Sequence, residues 1–137
     1  MRRHGFSTVV ELLALVCLGS AAVAGAVTAS SAKTGISAHL DQKTGQYQVA
    51  ARNPQWSFTG SLGSAASSVK VVSGRDAVGA YQEIGFAWRS GPLPLRGAIR
   101  VYQARPAVLF SYTYLIAASP PAVAFPGFTE IPAHLYH

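Results

Sequence analysis

Beyond residue 33, apolar and polar residues alternate one by one along most of the chain. A period of two is that of half-buried strands, whose successive side chains point to opposite faces. From Ala80, the residues Ile84, Phe86 and Trp88 fall on one face and Tyr81, Glu83 and Arg89 on the other; further on, Gly97, Ile99 and Val101 alternate with Arg96, Arg100 and Tyr102. Ile36 to Leu40 and Gln46 to Ala51 read as a hairpin around Asp41-Gln42-Lys43-Thr44-Gly45. An aspartate there can bond the turn amides, and the glycine accepts a positive φ.

The remaining segments extend this picture. Asn53-Pro54 ends the first hairpin, Trp56 to Phe58 is a short strand, Gly60 to Ser68 is too small and polar to supply core and reads as a loop, and Val69 to Val72 is another strand. Arg89 to Leu95 carries two prolines, which remove ladder donors and predict a break. Gln103 to Pro106 is a tight reversal. Ala107 to Ile116, apolar on both faces, predicts a central strand. The closing Ala133 to His137 reads as the start of a strand, so the chain is expected to be a fragment of something longer. Outside the N-terminal leader no stretch carries apolar residues at i, i+3, i+4 and i+7. The expectation is an all-β, antiparallel β-sandwich, incomplete at its C-terminal end and preceded by a signal-peptide helix.

That leader is residues 1–32, with the sandwich domain at 33–137. Arg2 and Arg3 precede an apolar run from Leu12 to Val27 and then small residues, the layout of a secretory signal peptide. The candidate cuts fall after Ala29 (Val-Thr-Ala) or Ala32 (Ser-Ser-Ala), and the destination is periplasmic or extracellular. The paired arginines leave the twin-arginine route open beside general secretion. Gly5-Phe6 followed by an acid resembles a type IV prepilin leader, but Glu11 is sixth from Phe6 where that family has its glutamate fifth, which makes a pilin the lesser reading. Sixteen apolar residues interrupted by glycine and serine are short for a membrane span. Membrane contact is therefore expected only through an uncut leader. Val16 before Cys17 does not suit a lipoprotein signal.

Composition narrows the chemistry. Cys17 is the single cysteine and lies in the leader, so neither a disulfide nor a thiolate metal site is expected in the mature part. After Ala32 nine basic residues stand against four acids, a net of +5, but the basic residues are scattered without a cluster, which argues against nucleic acid as a partner. No cofactor is implied: there is no Gly-x-Ser-x-Gly element and no glycine-rich phosphate loop.

Three sets of side chains are candidates for a site. Asp76 and Glu83 could serve glycoside hydrolysis if their carboxyl groups stood roughly 5–9 Å apart. Asp76, between Gly74-Arg75 and Gly79, has the setting of a turn aspartate, and Glu83 on the outward face has arginines to pair with; the sequence assigns neither a catalytic role. His134 and His137, with His39, have the residue type of metal ligands. Their i, i+3 spacing puts them on opposite faces of a strand, so they read as surface histidines and no metal is expected. Among the aromatics, Trp88 and Tyr112 lie on apolar faces and read as core, whereas Trp56 and Tyr136 are free to contact a sugar ring.

Several of these positions together resemble a known family. Gly74-Arg75-Asp76, Gly79, Tyr81 and Glu83, then Arg100-Val-Tyr102 with Pro106-Ala-Val108-Leu109-Phe110, then Phe125-Pro126 with Phe128 and Pro132 to Leu135, resemble the N-terminal β-sandwich of α-galactosidase and raffinose-synthase-like bacterial glycoside hydrolases. The resemblance covers roughly residues 55–137. It implies an exported, non-catalytic module whose partners are carbohydrate or a catalytic barrel lying outside this chain, since nothing here matches the barrel's acids. The alternative is a self-contained exported β-domain that binds a partner or surface.

Overall fold

A computed structural model of the chain describes residues 25–116 and 123–130. They form nine strands: β1 (Ala26–Ser30), β2 (Ile36–Asp41), β3 (Gln46–Arg52), β4 (Gln55–Ser61), β5 (Ser67–Arg75), β6 (Ala80–Ser90), β7 (Leu93–Tyr102), β8 (Val108–Tyr114) and β9 (Phe128–Glu130). One sheet has the order β1-β2-β3-β4-β9, the other β5-β6-β7-β8, and every neighbouring pair is antiparallel. There is no helix among the described residues. The fold is thus all-β, as the alternation predicts; the leader helix falls outside the described residues.

The two sheets share one core. Leu40, Tyr47 and Val49 enter from the first sheet and Ile84, Phe86, Trp88, Leu95, Ile99 and Val101 from the second. Burying each such side chain is favourable by about 1.5–3 kcal/mol, and their alternation with outward polar residues fixes which face of every strand points inward. Phe125, just ahead of β9, sits where the sheets meet: its ring lies 5.5 Å from Tyr47, 5.7 Å from Phe86, 5.4 Å from Trp88 and 5.7 Å from Phe110.

The first hairpin forms as read. Asp41 Oδ1 accepts the amides of Lys43 (2.9 Å) and Thr44 (3.4 Å), the Gly45 amide donates to the Asp41 carbonyl at 2.8 Å, and Gly45 has φ +74°.

Other elements correct the sequence reading. The strand expected over Trp56 to Phe58 runs from Gln55 to Ser61, and the next begins at Ser67, so the loop between the sheets is shorter than Gly60 to Ser68. The expected break from Arg89 to Leu95 shrinks to a two-residue turn, Gly91-Pro92, with Pro94 inside β7 opposite Arg89. Pro94 lacks a donor but its carbonyl is used, accepting the Leu115 amide at 3.1 Å.

Two larger departures bear on function. The segment expected as a central strand is β8, and among the described residues it is an edge, paired with β7 alone. Its inward residues Val108, Phe110 and Tyr114 pack on the core, but Leu109 is 45% exposed and Tyr112, read from sequence as core, is 40% exposed. Apolar residues on both faces signal burial without saying what provides it.

The second concerns residues placed in the leader. Ala26 to Ser30 pairs with β2 at every position, and Ala29 is fully buried. The described domain therefore starts ahead of Lys33.

Candidate functional site

Pairing register assembles a cluster on the outer face of the second sheet. Glu83 of β6 lies directly opposite Arg100 of β7, and Tyr81 lies opposite Tyr102. Both pairs alternate with inward Ile84, Ile99 and Val101, which hold these strands rigidly from the other side. β5 completes the group, with Gly74 opposite Tyr81. A Cβ on Gly74 would stand 2.5 Å from the Tyr81 hydroxyl and 2.6 Å from its Cζ, so only glycine leaves room for that ring to lie across β5. The Arg100 guanidinium then stacks over the Tyr81 ring at 3.8 Å from its centre.

The turn from β5 to β6 brings Asp76 to the same guanidinium. Arg100 Nε donates to Glu83 Oε2 and its Nη1 to Asp76 Oδ2, each at 2.6 Å, and the Tyr102 hydroxyl donates to Asp76 Oδ2 at 2.6 Å. Asp76 Oδ1 accepts the amides of Val78 (2.8 Å) and Gly79 (3.2 Å). The side chains of Arg100, Asp76 and Glu83 retain 22%, 29% and 18% of their exposure, and Tyr102 is nearly covered although it points away from the core.

This arrangement answers the question of the two acids. They meet, but on either side of a guanidinium. Asp76 has four acceptor positions and four donors aimed at them, so no lone pair is left for a nucleophile's work. Its pKa is lowered to about 2, first by the Tyr102 hydroxyl, against partial desolvation, with the Val78 amide, Arg100 and the Gly79 amide adding to the effect. A carboxyl held ionised cannot deliver a proton to a leaving group at neutral pH. The cluster is a clasp that ties the β5–β6 turn to β7. Glu83 pairs with an arginine and Asp76 caps its own turn, both as the residue setting indicates. Arg100 and Tyr102, which do the tying, carry no such signal beyond lying on the outward face.

The clasp makes stability depend on acid in a defined window. Asp76's folded pKa lies below its ordinary value of 3.8, so its contribution is complete above about pH 4 and is lost as pH falls through about 2. Tyr102→Phe removes the largest cause of the shift. Its melting temperature is expected to lie below that of the unaltered chain by a constant gap above pH 4, and the gap to close as pH is lowered toward 2. A gap that stays the same across thermal melts from pH 7 to 2 would show that the hydroxyl does not set this titration.

Other candidates are placed differently. Trp56 is half-buried on β4, its ring 5.0 Å from Phe58, and lines an apolar crevice of about 200 Å³ with Ile36, Val49, Phe110 and Phe128. Tyr136 lies outside the described residues, as do His134 and His137. His39 is exposed on β2, its Nδ1 2.8 Å from Thr28 Oγ1, and among the described residues no three histidine, cysteine or acidic side chains gather as a metal set would require. The outer face of the second sheet also carries a hollow of about 530 Å³ next to the clasp, floored by Gly85, Ala98 and Ser111 with Lys70 and Arg96 beside it. Ala29, one of the two candidate cut points, is the buried residue of β1; Ala32 follows that strand and is exposed.

The chain matches no protein-family model, no curated protein and no solved structure.

Proposed function

We propose that this chain is an exported, non-catalytic β-sandwich module of a carbohydrate-active enzyme, the part of a glycoside hydrolase that packs against its catalytic barrel. The observation that carries the reading is β8. Among the described residues, a strand with the composition of a sheet centre stands at an edge, with Leu109, Leu115 and Ile116 exposed by 45%, 47% and 48% along and just beyond it. An edge of this kind offers unpaired backbone and apolar side chains to another polypeptide, and proteins normally protect such edges with charge, proline or a covering element. A catalytic portion seated there would supply the missing neighbour. The clasp supports the same reading, because it commits both acids to structure. Sequence supports the carbohydrate association through the resemblance of residues 55–137, and export through the leader.

Downstream DNA and association tests examine this together. An open frame continuing past His137 into a barrel with paired carboxylates is expected, and the barrel half, co-expressed, is expected to co-purify with this chain. Leu109→Lys, by placing a charge in the interface, should weaken that association by at least about tenfold, the equivalent of 1.4 kcal/mol. A stop codon at that point, with a chain that is monomeric and indifferent to Leu109→Lys, favours the self-contained domain.

A further inference from the structure

We propose that the hollow on the outer face of the second sheet binds an acidic oligosaccharide, its uronate carboxylates held by Lys70 and Arg96 and its ring hydroxyls by Ser68, Ser111 and Thr113. The assignment rests on the carbohydrate association proposed above and deepens it by naming the class of sugar.

Register builds the hollow. Lys70, Gly85, Ala98 and Ser111 stand opposite one another in a single row across β5, β6, β7 and β8. The next row, Val72, Glu83, Arg100 and Leu109, makes one bank with the clasp in its middle, and the row on the other side presents Ala87, Arg96 and Thr113. Gly85, Ala98 and Ser111 offer a hydrogen, a methyl and a hydroxymethyl group, so taller neighbours on both sides leave a trough of about 530 Å³. That volume lies inside the range of about 300–1,000 Å³ usual for small-molecule sites.

Gly85 is the residue that points to an occupant. Glycine weakens a strand interior, and where it stands in one it marks a bulge, a bend or a close approach by something else. The other glycines inside strands answer to rings of the fold itself: a Cβ would stand 2.5 Å from Tyr47 Cζ at Gly60, 2.5 Å from the Tyr81 hydroxyl at Gly74 and 2.7 Å from Trp88 Cζ3 at Gly97. At Gly85 the nearest atom is the Lys70 carbonyl oxygen at 4.0 Å, no closer than ordinary contact. The nearby bulge belongs to β5, between Ser67 and Lys70, where Ser68 has φ +51° and lines the hollow. Bulges of this kind re-aim side chains beside sites. Gly85 lies on the partner strand, and its own φ is not positive. The fold therefore makes no demand for glycine here, whereas a ligand lying across the sheet does.

The lining selects for negative charge. Lys70 and Arg96 border the hollow, and neither takes part in an ion pair or hydrogen bond among the described residues, where Arg100 is the cation of both ion pairs. Glu83 is the acid of this lining, and its Oε2 already accepts from Arg100 Nε at 2.6 Å. Strand spacing sets β5 and β7, which carry the two free cations, about 10 Å apart, a separation that suits anionic groups repeated along one molecule better than a single small anion. The hydroxyls of Ser68, Ser111 and Thr113 lie between and around them, able both to donate to and to accept from the hydroxyls of a sugar.

Calorimetric titration of the full chain with hexagalacturonate, and with maltohexaose as an uncharged sugar of equal length, tests this. Hexagalacturonate is expected to bind and maltohexaose not, and Lys70→Gln combined with Arg96→Gln is expected to weaken binding at least about tenfold. Gly85→Val decides the location, because a branched side chain favours a strand but fills the trough. Its affinity is expected to fall at least about tenfold while its melting temperature stays level or rises. Binding that survives Gly85→Val overturns the assigned site. A Gly85→Val chain that melts several degrees lower shows that the fold itself requires glycine there, which overturns the premise. Equal binding of the two sugars overturns the role given to Lys70 and Arg96 while a carbohydrate association stands, and binding of neither overturns the site altogether. Each result is read on this chain alone, so co-purification with a barrel half stands or falls separately.

Discussion

Phe125→Ala is expected to destabilise the fold by about 3–5 kcal/mol and to lower its melting temperature by on the order of 20 °C. Phe125 is only 5% exposed, and rings from both sheets surround it: Tyr47 of β3, Phe86 and Trp88 of β6, and Phe110 of β8. Three of the contacts, to Tyr47, Phe86 and Phe110, are edge-to-face at 76°, 82° and 75°, an arrangement worth something beyond the area it buries. Those four residues are held by paired strands, so they cannot close over the space a deleted ring leaves, and a cavity that cannot collapse gives the upper end of the range. A domain of this size is stable by about 5–15 kcal/mol, so the variant would be marginal at room temperature. Urea unfolding of the two chains side by side gives the difference directly. A loss below about 1 kcal/mol would mean that Phe125 is not the hinge of the core.

Phe125 also illustrates what the sequence could and could not convey. Alternation located the strands of the second sheet and identified Trp88 as core, because a period of two is a local property and each strand carries its own record of it. The Asp41 to Gly45 turn was legible for the same reason: aspartate and glycine act on amides within four residues. Phe125 lies in a segment with no periodicity, and its place among four rings follows from how two sheets close, which no local pattern records. The clasp is intermediate. Tyr81, Glu83, Arg100 and Tyr102 were all assignable to outward faces, but which faces which depends on register. Reading Arg89 to Leu95 as a broad break left that register open. The two-residue turn at Gly91-Pro92 settles it, since pairing Ser90 with Leu93 carries Glu83 to Arg100 and Tyr81 to Tyr102, and a slip by one residue would turn the arginine into the core. β8 failed in the opposite direction. Its two apolar faces read as a demand for burial and predict strands on both sides, whereas among the described residues only β7 supplies one and Leu109 and Tyr112 stay exposed.

β1 was lost to a competing signal. Ala26-Val27-Thr28-Ala29-Ser30 is small and mildly apolar, continuous with the hydrophobic leader, and suits the end of a signal peptide as well as it suits a strand. Only its pairing with β2, whose own residues are plainly strand-like, separates the two uses.

Gly45→Ala is expected to cost about 2–4 kcal/mol, and Gly63→Ala about 1 kcal/mol or less, although both glycines have nearly the same backbone conformation, with φ of +74° and +79°. An L-residue in the left-handed region pays about 1–2 kcal/mol, offset by about 0.4–1 kcal/mol because alanine restricts the unfolded chain. That balance is common to both sites. The difference lies in what a Cβ would meet. At Gly63 nothing stands within 4 Å. At Gly45 the new atom would be driven into the Ser64 backbone carbonyl, with the Ser64 carbonyl carbon at 3.0 Å and Leu62 Cβ at 3.2 Å. Backbone cannot swing aside as a side-chain end can, and forcing it typically costs a further 1–3 kcal/mol or so. The displaced segment is the crossing between the sheets, tied to this turn by the Leu62 amide on the Gly45 carbonyl and the Ala66 amide on the Gln42 carbonyl, both at 2.9 Å. Moving it loosens the link that sets one sheet over the other, so Gly45→Ala should also expose more of the core to hydrogen exchange in β4 and β5 than Gly63→Ala does. Equal destabilisation of the two variants would show that backbone conformation alone accounts for Gly45, and that the crossing has room to spare.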